Sequence, residues 1–330
     1  MFLVCFLFLC GCKQTATDKL MKLGYSEEDI NLIEKLSEEN QNLFLEDYKE
    51  TELSYLYQPD FREENLEEYL NYHGLLDQER VIRLVNEGIL NKGSFIKLFE
   101  LYNHPYFIEK NEEKYLRYLN EYDSLRDMIE IVNTQRDREL FTGIENVDLS
   151  KGDLMLVNKY YQLSEDYVPD DLVNVEEGYG RGRLKKNVYE AFVQMADDAY
   201  KLGYDLRVVS SFRSYSYQEG LYNSYLKYDT LENVDSYSAR AGHSEHQTGL
   251  AIDVSVPGVS LDDFYKTEAA KWVDENCYKY GFIVRYQDNK KDITGYIDEP
   301  WHIRYLNKEI AADVYKRGIT YDEYYACFIE

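Results

Sequence analysis

Basic residues are in short supply in this chain. Lys and Arg number 37 against 62 Asp and Glu, for a formal charge of -25. Such a surface repels a phosphate backbone and excludes nucleic acid as a partner, and it gives no electrostatic reason to dock on anionic lipid. Cysteine is scarce as well. Three of the five Cys fall within the first dozen residues, and neither Cys277 nor Cys327 has the paired spacing of a zinc knuckle or a redox motif. Cys277 lies in an amphipathic helical pattern, so two free thiols are expected, with one disulfide between them as the alternative. A long apolar run is missing too. The opening Met-Phe-Leu-Val-Cys-Phe-Leu-Phe-Leu-Cys-Gly-Cys is much too short to span a bilayer as a helix.

That run reads instead as the apolar part of an export signal. Leu9-Cys10-Gly11-Cys12 resembles a bacterial lipobox, with cleavage after Gly11 and lipid on Cys12, although no Lys or Arg precedes the run. The expected location is the outer face of the bacterial cytoplasmic membrane, lipid-anchored and facing the wall. A simple cleaved signal is the alternative.

What is present begins with a length of 330 residues, an apolar share of 44% and 34 Tyr. These suit one large domain with a smaller one, and cores and grooves built from amphipathic rings. The boundaries expected are a signal segment at 1-12, a helical region at 13-140 and a larger domain at 141-330. The helical region is charged and poor in Gly and Pro. Ser26-Glu-Glu-Asp29 ahead of Ile30, Ile33 and Leu36 has the pattern of a capped helix start. Asp77 opens a second such unit with Val81, Leu84 and Val85 as its apolar face, and Asn111 to Leu119 opens a third, which suggests a degenerate repeat. The region is read as a spacer packing on the second domain, with a partner-binding module or stalk as the other reading.

After Phe141 the pattern alternates short β-branched or aromatic runs with helical stretches, as an α+β domain does. Helices are expected over 184-203, 217-228, 267-280 and 307-316, and strands over 205-210, 249-256, 282-286 and 301-305. The most informative segment is Ser244-Glu-His-Gln-Thr-Gly-Leu-Ala-Ile-Asp253, answered by Glu299-Pro-Trp-His302. Catalytic zinc takes three protein ligands and keeps a fourth position open. His246, Asp253 and His302 supply that count, and Glu299 is then free to act as a base. Period-two alternation puts Asp253 with Ala251 on one face of its strand, and His302 with Arg304 on one face of theirs. If the two strands are neighbours, Asp253 and His302 meet. An unpaired carboxylate in Ala-Ile-Asp-Val would be costly to bury, and a metal would satisfy it. His73, His104 and His243 are read as ordinary histidines.

Several ordered motifs carry a family resemblance: Ser211-Phe-Arg-Ser-Tyr215, Gln218, Ser238 through Asp253, Tyr280-Gly-Phe-Ile-Val-Arg-Tyr286 and Thr294 through Tyr305. Together, over roughly residues 153-306, they resemble the bacterial D-alanyl-D-alanine carboxypeptidases of the VanY and LdcB (DacB) type, the M15 zinc metallopeptidases. The resemblance implies a hedgehog-like peptidase domain with a small antiparallel sheet flanked by helices, preceded here by an all-helical region on which the family is silent. It implies zinc on His246, Asp253 and His302, with Glu299 as catalytic base and Arg213 facing the substrate. Gln218, Ser238, Arg240 and Ser244 match positions near the substrate. Phe212 stands where the family usually has Tyr, and Ala241 where Pro is common. The implied substrate is a peptidoglycan stem peptide losing its terminal D-alanine. An L,D-carboxypeptidase, a wall endopeptidase and a non-enzymatic wall-binding lipoprotein are the alternatives.

Overall fold

A computed structural model describes residues 15-330. The expected signal segment and the lipidation site at Cys12 lie outside the described residues. The chain divides into two compact units between Pro105 and Tyr106.

The first unit is helical. Ser26 accepts from the Asp29 N-H while the Asp29 carboxylate accepts from the Ser26 N-H, closing a capping box on the helix Glu27-Ile33. Its apolar face joins Leu20, Tyr25, Phe44, Leu53 and Leu56 in one small core. Asp77 caps the helix Gln78-Asn86, whose Val81, Leu84 and Val85 are buried as the spacing predicts.

The division falls at 105/106 rather than at 140/141, because residues 106-140 pack on the peptide that follows them. Glu130 pairs with Lys290 at 3.3 Å, Arg136 Nε donates to the Asp292 carbonyl at 2.7 Å, and Lys110 pairs with Glu330 at 2.8 Å.

A repeat is present, though in a different frame from the helix starts at Ser26 and Asp77. In the first unit Asn65 and Tyr69 both donate to Asn86 Oδ1, the Arg62 N-H donates to the Tyr69 hydroxyl, and Asn86 Nδ2 donates to the Asp60 carbonyl. In the second unit Asn111 and Tyr115 both donate to Asn133 Oδ1, the Ile108 N-H donates to the Tyr115 hydroxyl, and Asn133 Nδ2 donates to the Tyr106 carbonyl. Phe61 packs on Tyr69 as Phe107 packs on Tyr115. Residues 60-86 and 106-133 therefore carry the same polar knot, once in each unit.

The rest of the second unit is built on a four-stranded antiparallel sheet of β1 (Arg207-Ser210), β2 (Ala251-Ser255), β3 (Phe282-Tyr286) and β4 (Glu299-Tyr305), in the order β1-β2-β4-β3. Helix Lys186-Lys201 turns Val188, Phe192, Met195 and Ala199 onto the core, joined by Ile252 and Val254 of β2 and Ile303 of β4. Helix Glu268-Asn276 and the turn after it add Val273 and Cys277. Both remaining cysteines are free. Helix Tyr215-Tyr225 begins two residues earlier than the pattern suggests, because Ser214 caps it by accepting from the Tyr217 N-H. Helices Leu231-Tyr237 and Tyr321-Phe328 are absent from the sequence reading; both are short, with mixed polar and aromatic residues and no clear period.

Candidate active site

The two central strands carry the site. Asp253 of β2 and His302 of β4 are direct register partners, as are Ala251 and Arg304, so the faces read from alternation are the faces observed. His246 enters from the 3-10 turn Glu245-Thr248. Gly249 ends that turn at φ +68°, a left-handed backbone that strains any side chain, and a Cβ there would lie 2.9 Å from Leu172 Cδ2, which would have to shift.

One ligand atom from each of His246, Asp253 and His302 lies within 4.8 Å of the others, and all three residues are buried. Asp253 Oδ1 stands 3.2 Å from His246 Nε2 and 3.1 Å from His302 Nδ1. His246 keeps Nδ1 for the Ser211 carbonyl at 2.8 Å, which orients its ring. Burial, aided by Arg213, pulls the His246 imidazole down to about 4, the neutral form a metal ligand needs. Burial also opposes charge on His302, yet hydrogen bonds and charge from Asp253 and Glu245 raise it to about 9. Burial works against the Asp253 carboxylate too, but His246, His302 and Arg213 hold it well below the usual range. Two imidazoles and one carboxylate converging in a buried site among anions fit a zinc ion in number, type and charge.

Strict alternation would send Glu299 to the face opposite His302. The register is irregular between Val284 and Tyr286, where Tyr286 pairs with Glu299, and the Glu299 carboxylate stands in the site, 3.8 Å from His302 Nδ1. Burial pushes Glu299 up to about 8; His302 counters this and Asp253 adds to it. Arg213 donates from Nη2 to Asp253 Oδ2 at 2.7 Å and from Nε to Ser210 Oγ at 3.0 Å, while its Nη1 has no hydrogen-bond partner among the described residues.

These groups open onto a cavity of about 300 Å³, also lined by Ser238, Ser244, Tyr225, Tyr286, Tyr296 and Trp301. Ser238 and Ser244 belong to the cavity wall. Arg240 and Gln218 do not line this cavity. Asp235 captures the Arg240 guanidinium at 3.0 and 2.7 Å, and the Phe141 ring lies 3.8 Å beneath it. Gln218 Nε2 donates to the Ala239 carbonyl at 2.7 Å, so it supports the wall from behind. His243 faces the Asn158 carbonyl at 2.7 Å and stays out of the cluster.

Four charged residues are given no role by the sequence reading. Glu245 accepts from Arg285 and Arg304, and Arg285 also pairs with Asp322, all buried beneath the site. A signal exists in Phe-Ile-Val-Arg-Tyr286, where a charge interrupts an otherwise apolar strand.

The fold and the site define a carboxypeptidase. A family model described as D-alanyl-D-alanine carboxypeptidase, VanY, matches residues 181-308. The putative carboxypeptidase YodJ of Bacillus subtilis (strain 168) is 40% identical over 192 residues, covering 56% of this chain and 70% of that protein. The bifunctional D-Ala-D-Ala dipeptidase and D-Ala-D-Ala carboxypeptidase VanXYC of Enterococcus gallinarum is 32% identical over 177 residues, 52% of this chain and 93% of that protein. Among solved structures, the LdcB LD-carboxypeptidase aligns with a TM-score of 0.53 and 37% identity over 58% of this chain and 92% of its own. The chain belongs to the VanY family of D-alanyl-D-alanine carboxypeptidases.

Proposed function

We propose that the chain is a zinc-dependent D,D-carboxypeptidase that removes the terminal D-alanine from peptidoglycan stem peptides. The observation that carries this is the convergence of His246, Asp253 and His302 on one side of the cavity, with the Glu299 carboxylate beside them. Zinc held by those three would supply a Lewis acid that polarises the scissile carbonyl and lowers the pKa of water. Glu299 takes the proton from the attacking water and later delivers it to the leaving amine. Arg213, tied down by Asp253 and Ser210, offers Nη1 to the developing oxyanion or to the terminal carboxylate. Ser238 and Ser244 offer hydroxyls along the same wall.

The likeness to an LD-carboxypeptidase supports a second reading, L,D cleavage of tetrapeptide stems. Mass spectrometry of pentapeptide and tetrapeptide muropeptides, after incubation with the zinc-loaded protein and its Glu299→Gln variant, separates the two. Loss of alanine from the pentapeptide alone supports D,D; loss from the tetrapeptide alone replaces it with L,D. Cleavage of neither, or cleavage that ignores Glu299, overturns the proposal.

The same proposal places the protein on the outer face of the cytoplasmic membrane through lipid on Cys12, with the first helical unit as spacer. Deleting residues 15-105 should then spare hydrolysis of soluble muropeptides and lower release of alanine from intact sacculi. Equal loss on both would sink the spacer role.

A further inference from the structure

His302 has two ring nitrogens, and only Nδ1 faces the cluster, 3.1 Å from Asp253 Oδ1. In a neutral imidazole that binds a cation through one nitrogen, the other carries the proton and must donate it. The atom facing His302 Nε2 is Glu245 Oε2, 3.5 Å away. Both atoms are buried, and neither makes a hydrogen bond of good geometry among the described residues. They satisfy each other or remain two unpaired polar atoms in the core, an arrangement that folded proteins avoid.

The other oxygen of Glu245 is fully engaged. Oε1 accepts from Arg285 Nε at 2.8 Å and from Arg304 Nη1 at 3.0 Å. Arg304 is itself held by the Asp153 and Met155 carbonyls at 2.8 Å each. Arg285 Nη1 donates to Asp322 Oδ2 at 2.6 Å, and Asp322 Oδ1 accepts from Asn158 Nδ2 at 2.8 Å. Two buried cations thus meet two buried anions. This clamp fixes one oxygen of Glu245 and leaves the second aimed at the imidazole. Asp322 comes from the helix Tyr321-Phe328, beyond the end of the family match at residue 308.

We infer that Glu245 is a positioning residue for the metal ligand His302, and that the C-terminal helix sets its aim through Asp322 and Arg285. The inference rests on the proposed zinc site. Glu245 orients the His302 ring and strengthens its Nδ1 as a donor by drawing on the Nε2 proton, whereas His246 is oriented by the neutral Ser211 carbonyl. Asp322 balances the charge of Arg285, so that the charge of Glu245 is not spent entirely on the two arginines.

The test is zinc affinity by chelator competition, with the absorption spectrum of the cobalt-substituted protein, on the full chain and its variants. Glu245→Gln preserves shape and should weaken zinc by about 10- to 100-fold and shift the cobalt bands. Asp322→Asn should act in the same direction with a smaller loss, and it serves as the probe if Glu245→Gln does not fold. Unchanged zinc affinity and unchanged cobalt bands in a folded variant would overturn the inference, even if its melting temperature fell, because that pattern marks a structural role alone. A wild-type protein that binds no zinc would overturn the proposed metal site as well. Wild-type binding with an indifferent Glu245→Gln would overturn this inference and leave the carboxypeptidase proposal standing.

Discussion

Arg213 donates at 2.7 Å to one oxygen of Asp253, while the other oxygen of that carboxylate lies 3.1 Å from His302 and 3.2 Å from His246. Arg213, His246 and His302 therefore share one carboxylate. Replacing Arg213 by Ala should lower kcat/KM by about 10²- to 10³-fold, the usual cost of one preorganised donor. Arg213→Lys should recover little, because a single ammonium nitrogen cannot span Ser210, Asp253 and substrate as the guanidinium fork does. Steady-state kinetics on a soluble stem peptide would check this, and full recovery by Lys would count against it.

Glu299 lines the cavity with its carboxylate 3.8 Å from His302 Nδ1. Glu299→Gln removes the base without changing the shape of the wall, and kcat should fall by about 10²- to 10⁴-fold. Zinc content measured on the same preparation should stay at the wild-type level. Joint loss of metal and activity would make Glu299 a ligand rather than a base.

Lys159 is buried with Nζ 3.6 Å from the centre of the Tyr296 ring, and its ammonium donates to the Asp235 carbonyl. Burial pulls this lysine from 10.5 down to about 7, with the Asp235 charge opposing. Below pH 7 both folded and unfolded states carry the charge, and the full burial penalty applies. Between about 7 and 10.5 the unfolded state binds more protons, so the contribution of Lys159 to stability rises with pH, by at most about 1.4 kcal/mol per unit. The stability of wild type relative to Lys159→Met should therefore improve from pH 7 to pH 9 in urea titrations. A gap independent of pH would show that Lys159 does not titrate as described.

The thiols of Cys277 and Cys327 should be silent in the native protein. Burial pushes Cys277 up to about 12 and Cys327 up to about 11, so few thiolates form at neutral pH. An aromatic disulfide reagent should titrate both thiols in denaturant and react only slowly without it, and reductant should leave the melting temperature unchanged. Rapid reaction of Cys277 in the folded state would contradict its place in the core.

Asn133 closes the second copy of the polar knot, accepting from Asn111 and Tyr115 and donating to the Tyr106 carbonyl. Asn133→Ala leaves the buried Tyr115 hydroxyl without its acceptor and should cost about 1-3 kcal/mol. Urea unfolding would measure it. A loss no larger than that of an exposed Asn on the same unit would remove the knot from the account of stability.

Much of the site was legible because its chemistry is local in sequence. His246 and Asp253 sit seven residues apart, joined by a Gly that needs a left-handed backbone, and alternation placed Asp253 and His302 on the faces they occupy. The helix Lys186-Lys201 was legible for the same reason, since its apolar period shows along the chain.

Other features are decided by contacts between distant residues. Arg240 lies in the motif but is taken by Asp235, and whether an arginine points at substrate depends on which carboxylate reaches it first. Glu299 lies beside His302 although alternation puts the two on opposite faces, and the register of β4 is irregular there. The boundary near Tyr106 depends on Glu130 meeting Lys290 and Arg136 meeting the Asp292 carbonyl.

The sequence by itself determined the residue types at the site, the core faces of the main helix and strands, and the family, because each is written in spacing or in side-chain chemistry. Only the tertiary structure decided that Glu245 faces His302, and that Asp322 of the last helix helps to hold it there. Those contacts join residues with no pattern in common, and they exist because a buried charge must find its partner wherever the fold brings one near.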